Sequence, residues 1–460
     1  MKLIRQHLNE NPHFLLRPLL VISELLLIAT LAFMASQRQL TLVLILPIGI
    51  GLVLAFLRWP SLGLIVAPVA GMVIPFVGPS GLNVTMILVA LLLGLWLLDM
   101  MVLQHQIQFA SSRTLWPLFF FVVIAFISFG VGQLNWLPFA LHAPLGAQLG
   151  GLAIIVLSAA TFLLVANQVH DLGWLRIITW GFLAFAALSI LLRAVLPEFG
   201  LPTQNLVQQV GAVFYIWVVS LAFSQAAFNR DLHLGWRLAL GVLLLVTLYH
   251  QIFLKFANKS GWMPILVCIA AIIAFRSWRA ALVLFPIAVV AVLILKAGVV
   301  SSEDYSVSTR LDAWLILAQI IKFSPILGLG FANYYWYTPL FPIRGYAVSF
   351  NSHNNYVDIV AQTGLVGLVF FLWFLWEVGR LGWRLRERVP EGFAQAYVYG
   401  TLGGLVGTVV IGMFGDWVLP FFYNVGLIGF RTSMLSWLFL GGLVSLKQIV
   451  KSQNYTAAQK

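Results

Sequence analysis

Two short clusters in the second half of the chain hold the residue types best suited to chemistry. One reads Ser308-Thr309-Arg310-Leu311-Asp312-Ala313-Trp314, the other Asn351-Ser352-His353-Asn354-Asn355-Tyr356. An imidazole can take a proton from a hydroxyl near neutral pH, and a guanidinium can grip a phosphate through two parallel hydrogen bonds. Further cations stand at Lys255, Lys259 and Arg344. Paired carboxylates and Cys/His metal spacing are missing from this constellation, so it predicts neither a metal nor another cofactor. Several cations with one histidine suit a substrate that carries a diphosphate. The cations would bind the diphosphate and stabilise it as a leaving group, while His353 would take the proton of an attacking hydroxyl.

Local pattern predicts how these residues are held. Ser308 or Thr309 can cap a helix whose apolar residues Leu311, Trp314, Leu315 and Ala318 share one face. Such a helix lies at the membrane interface rather than crossing it. Arg310 would fall in its first turn, where the macrodipole disfavours a cation unless an anion docks there. The plain alternative is a solvated arginine paired with Asp312 or a lipid phosphate. Asn351 or Ser352 can cap the following span, which would put His353 at a helix N-terminus, where the dipole favours a neutral ring. Gly364 lies eleven residues on, about three turns, so a continuous helix would place it beneath His353 with Gly367 on the same side. That glycine stripe would let a second helix approach closely. The alternative is an interfacial histidine above an ordinary packing face. The aromatics from Tyr334 to Tyr337 could stack on sugars or form an interfacial belt.

Composition says where all this sits. Of 460 residues, 61% are hydrophobic and 9% charged, against about 25% charged in a soluble domain. The expected fold is an all-α polytopic membrane protein, a single membrane domain over 1–460 with about 12–14 transmembrane helices. Its one long polar segment, 299–355, would be a large outer, periplasmic loop with short interfacial helices. The net charge of +12 comes from cations scattered at the ends of apolar runs, which reads as topology signalling and anionic-lipid contact, with no nucleic-acid partner. The bias of Lys and Arg places both termini in the cytoplasm. The apolar run from Pro18 to Ala35 exceeds a signal-peptide core and reads as an uncleaved first span. The single cysteine, Cys268, excludes a disulfide framework. Glu24 is the one acid plainly inside a span, thin support for an ion pathway, and no glycine-rich phosphate cradle points to ATP.

The two clusters resemble the O-antigen ligase/polymerase superfamily, polyprenyl-dependent glycosyltransferases of the GT-C class. The resemblance rests on His353-Asn354 followed by Gly364-x-x-Gly367, and on Arg310-x3-Trp314 leading into Pro325-Ile326-Leu327-Gly328-Leu329-Gly330. It covers about residues 255–375. It implies a metal-independent, inverting transfer of a glycan from an undecaprenyl-pyrophosphate-linked donor to a glycan or lipid A-core acceptor, on the outer face of the bacterial inner membrane. His353 and Arg310 would be catalytic, with Lys255, Lys259, Trp314, Arg344 and Asn354 binding substrate. Where the family carries an arginine in a Ser-Arg-Gly-Trp-like stretch, this chain has Asn258-Lys259-Ser260-Gly261-Trp262. Lysine keeps the charge and loses the bidentate fork. The rival expectations are a transporter or flippase of polysaccharide precursors, which needs Glu24, Asp99 and polar residues lining one cavity, and an inactive scaffold.

Overall fold

A computed structural model describes residues 49, 51, 54–255, 259–295 and 304–458. The expected spans at 18–36 and most of 40–57, together with Glu24, lie outside the described residues. The rest is helical: α1 (Pro60–Val73), α2 (Val84–Leu98), α3 (Leu115–Val131), α4 (Leu145–Gln168), α5 (Leu172–Ile190), α6 (Ala212–Phe228), α7 (Leu234–Tyr249), α8 (Lys259–Arg276), α9 (Trp278–Leu295), α10 (Asp304–Ile321), α11 (Asn333–Tyr337), α12 (Asn355–Leu385), α13 (Phe393–Ile411) and α14 (Phe430–Ala458). Among the described residues, eight helical segments are long and apolar enough to cross a membrane, and α1, α3 and α6 are shorter apolar helices. This is the all-α polytopic membrane architecture that the composition predicts.

The helices have apolar residues around most of their circumference, so burial depends on position in the bundle. α4, α13 and α14 are the most enclosed, and aromatic contacts such as Phe374 stacked on Trp437 at 5.3 Å fill the centre. Outer helices leave large apolar side chains uncovered, among them Trp116, Phe119 and Trp376, as surface facing lipid tails does.

The element that positions the candidate site is α12, and it is broken. Gly364 has φ 70° and ψ −178°, a combination that only glycine adopts readily. The expected glycine stripe is therefore corrected: Gly364 interrupts the helix, and no continuous turn connects it to His353. The break frees backbone groups inside a helix long and apolar enough to cross a membrane, and in an apolar interior each one left bare costs several kcal/mol. The Pro325–Gly330 segment meets them. Leu329 N donates to Ala361 O at 2.9 Å and Gly330 N to Gln362 O at 3.1 Å, while Pro325 O accepts from Leu365 N at 2.9 Å and Ile326 O from Val366 N at 3.3 Å. Ser128 of α3 completes the joint by donating to Leu327 O at 2.7 Å.

The chains meet too closely for side chains. A Cβ on Gly364 would land on the Ile326 carbonyl, and one on Gly328, at φ 76°, on the Gln362 carbonyl. Gly364→Ala is expected to lower stability by more than about 2 kcal/mol, from its positive φ and the collision together. Gly130→Ala, with open space around the new methyl, should leave stability unchanged or slightly raised. Thermal unfolding of both variants in detergent checks the pair, and equal midpoints would contradict the joint.

Candidate active site

His353 sits just before α12 rather than in it. The helix starts at Asn355, and its cap is Asn354, whose Oδ1 accepts from Tyr356 N at 2.9 Å and Val357 N at 3.3 Å. The expected caps Asn351 and Ser352 are thus displaced by Asn354, and the residue expected to bind substrate has its side-chain oxygen committed to the backbone. His353 itself is left-handed, with φ 48°, a conformation uncommon outside glycine. It turns the ring out of the helical path while Asn354 closes the helix below.

The loop is fixed from beneath. Ser352 is fully buried, and its hydroxyl lies 2.7 Å from Asp358 Oδ1 and 2.8 Å from Asn354 O, while Asn354 N donates to it at 2.9 Å. Tyr334 OH donates to the same Asp358 oxygen at 2.5 Å. From the other side, Trp314 Nε1 donates to Ser352 O at 2.8 Å. Trp314 therefore reaches the histidine loop, and its indole nitrogen is committed to that carbonyl.

Arg310 lies one turn before Trp314 on α10, close enough to act electrostatically on His353. The helix begins at Asp304, so Arg310 is in the second turn. The macrodipole argument made for it fails, because that effect fades beyond the first turn. The predicted face is partly uncovered, with Leu311 and Leu315 exposed, while Ala313, Leu317 and Ile320 face the protein. Arg344 is drawn onto the same helix: its Nε donates to Asp312 Oδ2 at 2.7 Å and its Nη2 to Ser308 Oγ at 2.8 Å. It occupies the tip of a tight turn, closed by reciprocal bonds between Ile343 and Tyr346.

Lys259 opens α8, which runs antiparallel to α13. Gly407 faces Pro264 and Gly403 faces Cys268 and Ile272, so the register carries Lys259 to the level of Gly412. Gly412 O accepts from Asn355 N at 2.8 Å, which puts Lys259 at the His353 end of the bundle. Lys255 is exposed, just after a π-helical turn at the end of α7.

Two residues outside both sequence clusters complete the surroundings of His353. Asn424 Nδ2 lies 3.4 Å from His353 Nδ1 and donates to Asp416 Oδ1. Asp416 is fully buried, and its other oxygen accepts from Phe421 N at 2.7 Å and Val425 N at 3.3 Å. With the amide nitrogen directed at the carboxylate and also facing Nδ1, the arrangement suits a neutral ring with its proton on Nε2. Asp416 and Asn424 lie between α13 and α14, in a connection whose apolar residues disguise its length. The one available signal is an isolated acid, Gly415-Asp416-Trp417, directly after an apolar run. Among the aromatics 334–337, Tyr334 stacks on Phe421 at 4.8 Å and Tyr335 on Tyr423 at 4.5 Å, so each of these two rings has one face covered by the protein.

Residues 238–372 match the O-antigen ligase family model. That match supports a relationship of this segment to the O-antigen ligase/polymerase superfamily. The matched region holds His353, Arg310, both lysines, Arg344 and the whole joint at Gly364. Asp416 and Asn424 lie beyond it. No curated protein matches the chain. The family match and the apolar helices together support a multi-pass membrane protein of general O-antigen ligase/polymerase type.

The electrostatics are those of a base kept neutral. Burial lowers the proton affinity of His353 below the ordinary histidine value, the Arg310 charge lowers it further, and Asp416 opposes both. The sign follows for each variant. Removing the cation in Arg310→Gln relieves repulsion of the protonated ring, so its titration should move to higher pH. Asp416→Asn removes the opposing anion and should move it lower. Both shifts are readable from ring resonances of isotope-labelled protein, and a downward shift in Arg310→Gln would contradict the placement.

Proposed function

We propose that the protein is an inverting glycosyltransferase that moves a glycan from an undecaprenyl-pyrophosphate-linked donor to an acceptor hydroxyl. The reaction would take place at the outer face of the cytoplasmic membrane, with both termini inside, in keeping with the bias of Lys and Arg. The observation that carries the reading is His353. It projects from a left-handed turn on a loop anchored on several sides, and its proton affinity is lowered by burial and by Arg310.

In this reading the acceptor oxygen attacks C1 of the donor sugar as the bond from C1 to the diphosphate oxygen breaks. The electron pair leaves with the diphosphate, and the hydroxyl proton passes to His353. The basic nitrogen is Nδ1. Its contact with Asn424 at 3.4 Å exceeds the usual limit of about 3.2 Å, so an incoming hydroxyl can replace it at little cost. Arg310 acts electrostatically on the ring and Lys259 stands at the same end of the bundle, so both would supply positive charge where the diphosphate develops its own negative charge. Arg344 acts at one remove, through Asp312, by holding the 343–346 turn against α10. Single displacement at C1 inverts the anomeric centre.

His353→Ala is expected to reduce transfer by at least about 100-fold, the range of a lost general base, with membrane insertion and thermal midpoint unchanged. Incubating the purified protein with undecaprenyl-pyrophosphate-linked oligosaccharide, with and without a lipid acceptor, tests the reaction. A ladder from donor alone assigns a polymerase and a single acceptor adduct assigns a ligase. Unconsumed donor in both arms, or wild-type transfer by His353→Ala, would overturn the reading.

A further inference from the structure

The end of the bundle away from His353 carries a groove that the transfer reaction does not use. α3 runs antiparallel to α12, with Phe121 against Phe371 and Ser128 against the joint, so its N-terminus and Arg113 lie at the far end. There α3, α4 and α14 enclose a cavity of about 700 Å3. Its walls are apolar. Trp116, Phe119 and Val122 stand on α3 and Leu163 on α4, while Arg113 and Lys447 stand at the mouth.

We propose that this groove binds one anionic glycerophospholipid, with its phosphate held by Arg113 and Lys447 and an acyl chain lying along Trp116, Phe119, Val122 and Leu163. Charge selects the headgroup. Lys447 Nζ donates to Ser111 O at 2.6 Å, which uses one of three donors, and no acid lines the cavity. Arg113 is exposed, and α3 starts beside it at Thr114 without a side-chain cap. Its dipole therefore adds to the attraction for a phosphate. A zwitterionic headgroup would bring its own cation against both side chains. Shape selects a lipid over a free anion: the wall from Arg113 to Val122 runs about 13 Å along the helix, and Trp116 and Phe119 are 62% and 57% exposed. Lys451 lies one turn beyond Lys447 on α14, and Arg58 precedes Ser61, whose hydroxyl donates to Gln168 O at the end of α4 beside Gln448; the positive-inside rule expects anionic lipid where such cations gather.

The test uses the full-length protein, stripped of lipid in detergent and offered phosphatidylglycerol, phosphatidylcholine and undecaprenyl phosphate at equal concentration in native mass spectrometry. One phosphatidylglycerol is expected to be retained over phosphatidylcholine by about tenfold or more. Arg113→Glu should abolish that preference with an unchanged lipid-free unfolding temperature; if that variant misfolds, Arg113→Gln should weaken it. Equal retention of the two phospholipids, or a preference unchanged by substitution at Arg113, would overturn the proposal. Displacement of phosphatidylglycerol by undecaprenyl phosphate would overturn it in favour of a polyprenyl site, and displacement by inorganic phosphate in favour of a free-anion site. None of these outcomes depends on glycan transfer.

Discussion

The joint between the Pro325–Gly330 segment and the break in α12 is the contact on which the rest of the candidate site depends. A helix interrupted within a membrane protein leaves amides and carbonyls that lipid cannot satisfy. Here an extended segment supplies the partners on both sides of Gly364, receiving from Leu365 and Val366 and donating to Ala361 and Gln362. The exchange works only if two backbones touch, which is why Gly328 faces the Gln362 carbonyl and Gly364 the Ile326 carbonyl with no room for a methyl. Two glycine motifs far apart in sequence are thus halves of one structure. The joint also brings α11, with Tyr334, beneath the loop of His353.

From there the order propagates upward through hydrogen bonds. Tyr334 and Ser352 converge on one oxygen of Asp358, and Ser352 in turn holds the backbone of Asn354. Asn354 then closes the first turn of α12. A buried carboxyl is costly unless it is hydrogen-bonded, so Asp358 resists rearrangements that would remove either donor. The left-handed backbone of His353 costs about 1–3 kcal/mol, and this network is what opposes its relaxation. Trp314 adds a tie from α10, which couples the position of Arg310 to the loop that presents the ring.

Much of this organisation was legible in the sequence, for identifiable reasons. Hydropathy exposes membrane helices directly, because each span needs a long apolar run. Arg310 and His353 stood out because polar clusters are rare in such a chain. Periodicity failed where the backbone leaves the helical path: the eleven-residue spacing from His353 to Gly364 presumed a continuous helix, and no residue pattern marks φ 70° as a break rather than a packing face. Cap chemistry was ambiguous for the same local reason, since Asn351, Ser352 and Asn354 can all cap and tertiary contacts chose the last. Asp416 and Asn424 were invisible as site residues because their connection is as apolar as the helices around it. Its aromatics Phe421 and Tyr423 fold inward onto Tyr334 and Tyr335.

The placement of Asp416 resolves a difficulty that an anionic substrate would create. A carboxylate close to a histidine raises its proton affinity and repels a diphosphate. Asp416 is turned away from the open side: two backbone amides and the Asn424 side chain take up its oxygens. Asn424, whose amide is oriented by the carboxylate, stands 3.4 Å from the Nδ1 of His353. Burial and the Arg310 charge both lower the proton affinity of the ring, and Asp416 opposes them. In the proposed reaction this balance would keep the imidazole neutral while the surrounding cations attract the phosphate.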